Sequence, residues 1–397
     1  VTEAVHFELT RPRLFAVGGA ASLVPLNSTM IAVALPRIAE DFNTSVGRTS
    51  VLVTLYLVVM LVGQPVAGRM CDRFGATRTV EISLVGFALA SVAAAFAPGF
   101  ELLVLGRVCQ AVFGATLVPG TQAIVRAAAP PDDRGRLFGL LGSMFGVGAA
   151  SGPVIGGVLV EVFGWRSIFL INLPVVVFAL MARLPNSLPR SSAPLLTVKG
   201  PCFSLARNPV FVAAFAVQAL STLGQYMLLL VAPVILDARG WSSAAVGVAL
   251  TGLTVGMIVM GPLGGRTGDR RGRRRPAMAG LAVCAAALVG ATTQGASIAP
   301  VPLVIALTAF GFGLGFALPS VQTAGLEVIQ EHRAGSAAGV LAMSRYVGSI
   351  TTSLLVAAWL TKDGSGAQAA LGVASIAAVA ALAIGILLPT RSTAEVG

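Results

Sequence analysis

Residues 68–78 read GRMCDRFGATR, and residues 265–275 read GRTGDRRGRRR. The two phrases keep one offset, 197 residues, at Gly68 and Gly265, Asp72 and Asp269, Arg73 and Arg270, Gly75 and Gly272, and Arg78 and Arg275. The chemistry open to such a phrase is non-covalent. A carboxylate is favoured near a helix N-terminus, and arginines pair with nearby acids. A second set of polar residues lies in apolar surroundings. Arg107 and Gln110 sit in LGRVCQAVFGA. Gln218, Ser221, Thr222 and Gln225 fall at i, i+3, i+4 and i+7, and Arg345, Ser349 and Thr352 follow the same spacing, so each set lines one helical face. Such a face is expected to line a water-filled cavity or to bond between helices. An arginine at bilayer depth costs about a few kcal/mol unless paired, which makes Arg107 and Arg345 candidate binding residues.

Bond-making chemistry has no comparable set. The histidines are His6 and His332 alone, and no Ser/His/Asp group, paired intramembrane aspartates, metal-ligand cluster or Walker phrase occurs. Cys71, Cys109, Cys202 and Cys284 lack CxxC spacing, which argues against a zinc site or a disulfide framework. Gly311, Gly313 and Gly315 lie in an apolar stretch with no strand before them and do not form a nucleotide loop. No cofactor, no metal and no enzymatic activity are expected.

The elements that must position these residues follow from composition. Mean hydropathy is +0.87 and charged residues make up 11% of the chain, against about 25% in soluble domains. A helix needs about 20 apolar residues to cross the hydrocarbon core. Twelve stretches meet that need, at 14–35, 49–68, 79–97, 102–125, 137–160, 167–184, 210–232, 243–264, 277–294, 300–326, 335–359 and 367–389. The first is too interrupted by polar residues to read as a cleaved signal. The fold class expected is an all-α integral membrane protein.

Letting each span cross in turn places 20 of the 27 Lys and Arg on the side of the N-terminus and five on the other side. Arg107 and Arg345 are the remaining two, inside spans. That asymmetry puts both termini in the cytoplasm of a cell-membrane protein. The net charge of +11 is therefore read as a topology signal. RRGRRR has no interleaved aromatics for stacking, so no nucleic-acid partner is expected. Residues 185–208 are rich in Pro and Ser and divide the chain into 1–184 and 209–397, each with six spans. The repeated phrase then falls between the second and third span of each half, and two pseudo-symmetric six-helix bundles follow.

These features together resemble the major facilitator superfamily and, within it, the drug:proton antiporters. The phrase at 68–78 resembles the superfamily's loop signature, which implies a gating latch: Asp72 would meet the start of the eleventh span and Asp269 the start of the fifth. The second copy departs further from the signature, so Asp269 is expected to matter less. GLLGSMFGVGAASGPVIGG resembles the family's antiporter motif at Gly139, Gly148, Gly152, Pro153, Gly156 and Gly157. Gly148, Gly152 and Gly156 recur every four residues and form a smooth face for close packing, while Pro153 should kink the helix. Arg107, Gln110 and Gly114 match the family's fourth-helix pattern, which implies an Arg facing a central cavity. PLNSTMIAVALPRI at 25–38 and FGWRSIFLINLP at 163–174 resemble segments of the drug exporters, with Asn27 where those carry an acid.

The resemblance implies a secondary active exporter of a small, moderately lipophilic, drug-like compound, working by alternating access as a proton antiporter. A uniporter or importer of a small metabolite or anion, and a non-transporting sensor, are the alternatives. Expected partners are the small-molecule substrate, protons and membrane lipid, for a monomeric protein. Asn27 and Arg107 lie within roughly 5 Å in depth at 1.5 Å per residue, and no Asp or Glu accompanies them. A substrate that is neutral or anionic follows, with protons carried on Asp72, Glu81, Glu327 or the substrate.

Overall fold

The computed structural model describes residues 11–44, 46–49, 51–130, 133–182, 205–237, 239–241, 243–294, 299–330, 333–359 and 366–390. The linker up to residue 204, both termini, His6, His332 and Cys202 lie outside them. Among the described residues the structure is helical throughout, with α1 Arg11–Asp41, α2 Val51–Phe74, α3 Ala76–Ala95, α4 Phe100–Ala128, α5 Arg134–Phe163 and α6 Ser167–Met181. The second series is α7 Pro209–Asp237, α8 Ser243–Arg271, α9 Arg274–Gln294, α10 Pro300–Glu327, α11 Ala334–Trp359 and α12 Ala367–Gly385.

Eleven of these helices are long and apolar enough to cross a membrane. The remaining one, α6, is shorter within the described residues. The stretch at 167–184 is a shorter apolar helix, interrupted at Ile171 between Ser167–Leu170 and Asn172–Met181. Pro174 has no N–H to give the Leu170 carbonyl, which removes one bond of the ladder at the interruption.

A correction concerns the repeated phrase. It was expected as a loop, yet α2 stays helical to Phe74 and α8 to Arg271. Only Gly75 separates α2 from α3, at φ +88°, and its counterpart Gly272 has φ +82°. A side chain at either position would be strained there, which explains why glycine is written in both copies.

The chain forms two compact units. The first comprises Val1–Pro130, Met144–Cys202 and Gln330–Met343; the second comprises Pro131–Ser143, Phe203–Ile329 and Ser344–Gly397. The first turns of α5 thus group with the second unit, and those of α11 with the first. Within the first unit, α4 packs on α1, α2 and α3, and α6 packs on α1 and α3. Within the second, α10 packs on α7, α8 and α9, and α12 packs on α7 and α9. The same neighbour scheme occurs in both units, as two copies of one bundle require. Met30, Leu52, Leu103, Trp165 and Phe169 centre the core of one; Leu228, Leu253, Leu288, Phe310 and Leu371 centre the other.

Candidate functional site

The first unit holds a polar group inside its apolar helices. Arg107 of α4 is 1% exposed. Its Nη1 donates to Oδ1 of Asn27 on α1, and to Oε1 of Gln110, one turn on, at 3.0 Å. The Tyr56 ring of α2 lies 4.3 Å from the guanidinium carbon, a cation–π contact worth about 2 kcal/mol when desolvated. Gln110 Nε2 donates to the Ser91 hydroxyl of α3 at 2.6 Å, and Asn172 Nδ2 of α6 donates to the same oxygen at 3.2 Å. One buried chain of polar side chains therefore ties five helices around a cation. Its members are amides, hydroxyls and a ring, and among the described residues no carboxylate forms an ion pair with Arg107. The depth arithmetic placed Asn27 against Arg107, and the structure brings them together. Tyr56, Ser91 and Asn172 escaped the sequence reading, although Asn172 stands within the segment 163–174 already singled out.

The two aspartates of the repeated phrase meet helix N-termini. Asp72, 9% exposed, accepts the backbone N–H of Gly335 at 2.6 Å and of Ser336 at 2.7 Å, in the first turn of α11. Asp269 accepts the N–H of Gly135 at 2.8 Å and of Arg136 at 2.9 Å, in the first turn of α5. A helix start leaves four N–H groups without intrahelical partners and carries partial positive charge, so a carboxylate from another helix satisfies both needs. The approach is close enough that a methyl group on Gly68 would strike the Gly335 carbonyl, and one on Gly265 the Gly135 carbonyl.

An arginine beyond the repeated phrase's exposed ones pairs with Asp269. Arg73, Arg78 and Arg270 are exposed. Arg273, counted from sequence among the topology charges, is buried and bonds Asp269 through Nη1. Its Nε and Nη2 donate to the two oxygens of Glu327 on α10 at 3.2 and 2.7 Å. Burial opposes its charge, but the hydrogen bonds and fields of Glu327 and Asp269 outweigh burial and hold its pKa above the ordinary arginine value. In the first copy the position 197 residues earlier is Ala76. Arg273 follows the turn at Gly272, four residues from Asp269, a spacing legible in the sequence.

The antiporter-like segment divides. Gly148, Gly152 and Gly156 pack on α1 against Ser22, Thr29 and Met30, and the Ser22 hydroxyl reaches the Met144 carbonyl at 2.8 Å. Gly139 instead meets Gly261 of α8 in the second unit, beside Ser143, whose hydroxyl donates to the Ile258 carbonyl at 2.8 Å. Gly157 has no neighbour within 4 Å that a Cβ would touch. Pro153 lies inside α5 without ending it.

In the second unit three residues of the α7 stripe are buried, and Gln225 is partly exposed. Gln218, Ser221 and Thr222 are 0%, 4% and 5% exposed. Gly348 of α11 allows the close approach, meeting Ala219, Thr222 and Leu223 of α7. Thr352 donates to the Leu223 carbonyl at 3.1 Å, and Gln225 Nε2 lies 3.5 Å from the Met257 sulfur. Ser349 bonds the Tyr346 carbonyl, and Arg345, half-buried, shares its surroundings with the phenols of Tyr226 and Tyr346.

At the far ends of α1 and α5, Asp41 accepts Trp165 Nε1–H at 2.9 Å and Arg166 Nη1–H at 2.7 Å. Those hydrogen bonds to Trp165 and Arg166 hold the Asp41 carboxyl below its ordinary value against the opposing effect of burial. Gly164, at φ +78°, makes the turn that presents both donors.

The described helices form two like bundles, and each buries polar side chains among apolar ones. The sequence profile of the Major Facilitator Superfamily matches residues 17–217 and 214–396, and the chain belongs to that superfamily. It is a multi-pass membrane transporter. It is 30% identical over 390 residues to the uncharacterized MFS-type transporter YvkA of Bacillus subtilis, covering 85% of this chain and 87% of that one. It is 33% identical over 224 residues to the tetracenomycin C resistance and export protein of Streptomyces glaucescens, covering 54% and 41%. It is 38% identical over 173 residues to the multidrug efflux pump LfrA of Mycolicibacterium smegmatis, covering 43% and 34%. The chain thus spans less than half the length of the last two. Its fold matches the human organic anion transporter MFSD10 (TETRAN) with TM-score 0.75 and 18% identity, over 94% of this chain and 99% of that one.

Proposed function

We propose that the chain is a secondary active exporter that moves small, moderately lipophilic compounds out across the cytoplasmic membrane by alternating access, in exchange for protons. The halves 1–184 and 209–397 are proposed to rock about a central site, as in repeat-built transporters. The observation that carries the reading is the face of Gly148, Gly152 and Gly156 set against α1. A face of small residues lets two helices pack closely, and in the family it resembles this helix is tied to export. The resistance and efflux relatives point the same way. Both termini are proposed to be cytoplasmic, so an impermeant thiol reagent should leave Cys202 unlabelled in intact cells lacking the other cysteines.

The decisive experiment is a drug-susceptibility panel in an efflux-deficient host, with and without the protein, joined to counterflow in proteoliposomes. Raised resistance with lowered accumulation is the expected result. Raised accumulation would make the protein an importer or uniporter, and counterflow absent for every compound that binds would make it a sensor.

A further inference from the structure

Arg107 is a buried charge of the first unit with two unpartnered nitrogens. Its Nη1 is engaged by Asn27 and Gln110, while Nε and Nη2 have no hydrogen-bond partner. Those two atoms form the side-on fork of a guanidinium, the edge that takes both oxygens of a carboxylate. The Tyr56 hydroxyl, on the ring stacked over the same guanidinium, also lacks a partner. Burying a guanidinium without a counter-charge is costly, and an amide offsets less of that cost than an anion. Three acids of the unit are engaged elsewhere: Asp41 with Trp165 and Arg166, Glu101 with Arg48, and Asp72 with the start of α11. Asn27, the side chain nearest to answering the charge, carries none.

We propose that the Nε–Nη2 edge of Arg107 docks an anionic group of the transported compound, so that the protein takes lipophilic organic anions, a carboxylate or acidic phenol on an apolar body, in preference to lipophilic cations. The proposal rests on the export reading for the word "transported"; the pairing itself does not depend on direction. The apolar body would meet the Tyr56 ring at the guanidinium and, two turns on at Gly114, the edge of Phe87. Arg107 is 1% exposed, so access requires side-chain movement. A lipophilic ammonium would meet an uncompensated positive charge at the same place, and in low dielectric that repulsion is strong.

The test uses the full-length protein in lipid nanodiscs and three probes on one aromatic body: 1-naphthaleneacetate, its methyl ester and 2-(1-naphthyl)ethylamine. Calorimetric binding is measured first. The carboxylate should bind at least roughly tenfold more tightly than the ester or the amine. Asn27→Asp supplies an internal carboxylate to Arg107, so it should weaken carboxylate binding about tenfold and strengthen amine binding. Arg107→Lys keeps the charge and loses the fork, and should also weaken the carboxylate; should that variant fail to fold, Asn27→Asp carries the result. No saturable carboxylate binding, equal binding of all three probes, or a carboxylate preference unchanged by Asn27→Asp overturns the proposal. Proton-driven uptake into everted vesicles separates the two readings. Charge-selective binding without movement keeps the anion site and removes export. Export of all three probes without preference keeps export and removes the anion site.

Discussion

Glu327 takes both Nε and Nη2 of Arg273, one on each carboxylate oxygen, in a pair whose side chains are 6% and 1% exposed. Asp269 occupies the remaining Nη1 and at the same time caps the first turn of α5. Removing one member of a buried ionic group leaves the others uncompensated, typically at about 3–5 kcal/mol. Arg273→Ala should therefore lower the detergent melting temperature far more than Arg271→Ala, which alters an exposed neighbour. The raised pKa of Arg273 fixes the sign on the alkaline side. A stabilisation of this kind is complete below the ordinary arginine pKa and is lost only as pH rises through the elevated one, so the Arg273 contribution should persist from about pH 7 to about pH 10. A melt in which Arg273→Ala and Arg271→Ala coincide would refute this account.

Asp72→Asn should lower transport in everted vesicles while leaving membrane abundance unchanged. An amide can accept the Gly335 and Ser336 N–H bonds through one oxygen at most, and bonds to a charged acceptor contribute about 1.5–3 kcal/mol. The sequence made Asp269 the lesser of the pair. Asp269 also bonds Arg273, so Asp269→Asn should reduce transport measurably as well. Wild-type transport in both variants would take the two aspartates out of the mechanism.

Within one glycine-rich segment, two neighbours should behave oppositely. A Cβ on Gly148 would lie 2.8 Å from the Ser22 carbonyl oxygen, whereas one on Gly157 meets nothing within 4 Å. Gly148→Leu should abolish or sharply reduce export, and Gly157→Ala should leave it near wild type. Resistance assays on matched expression levels decide the point.

Acid should release the Asp41 clasp. The folded carboxyl titrates below its ordinary value of 3.8, so its contribution is present above that value and is lost as pH falls through the lower folded one. Trp165 emission should shift in that acid window in a chain lacking Trp241 and Trp359, and Asp41→Asn should remove the shift. A shift centred near neutrality would point to another group.

What the sequence made legible depended on register. Asp72 and Asp269 could be assigned to helix starts because their phrase is duplicated and the spans between them can be counted. Asn27 and Arg107 could be paired because helical rise converts position into depth. Rotation about a helix axis is what such counting leaves open. Tyr56, Ser91 and Asn172 are single polar residues in apolar helices, and nothing in their spacing says which way each faces. Arg273 stands among like residues in RRGRRR; it follows the turn at Gly272, four residues from Asp269. The polarity of the stripe on α7 is visible in sequence, while Gly348, whose close approach brings α11 against it, lies 130 residues beyond Gln218.

The partners of the two aspartates also differ in when they are made. Asp269 follows Gly135 by 134 residues, so its helix start already exists when it leaves the ribosome. Asp72 precedes Gly335 by 263 residues. At roughly 5–20 residues per second, that carboxylate waits on the order of tens of seconds for a helix end to cap. During synthesis the first bundle is thus held open at this one position, and its closure is the last of the paired contacts to form. A chain stopped short of α11 carries a complete Asp269 site and an Asp72 without the Gly335 and Ser336 N–H groups, a difference that hydrogen exchange on stalled nascent chains would register.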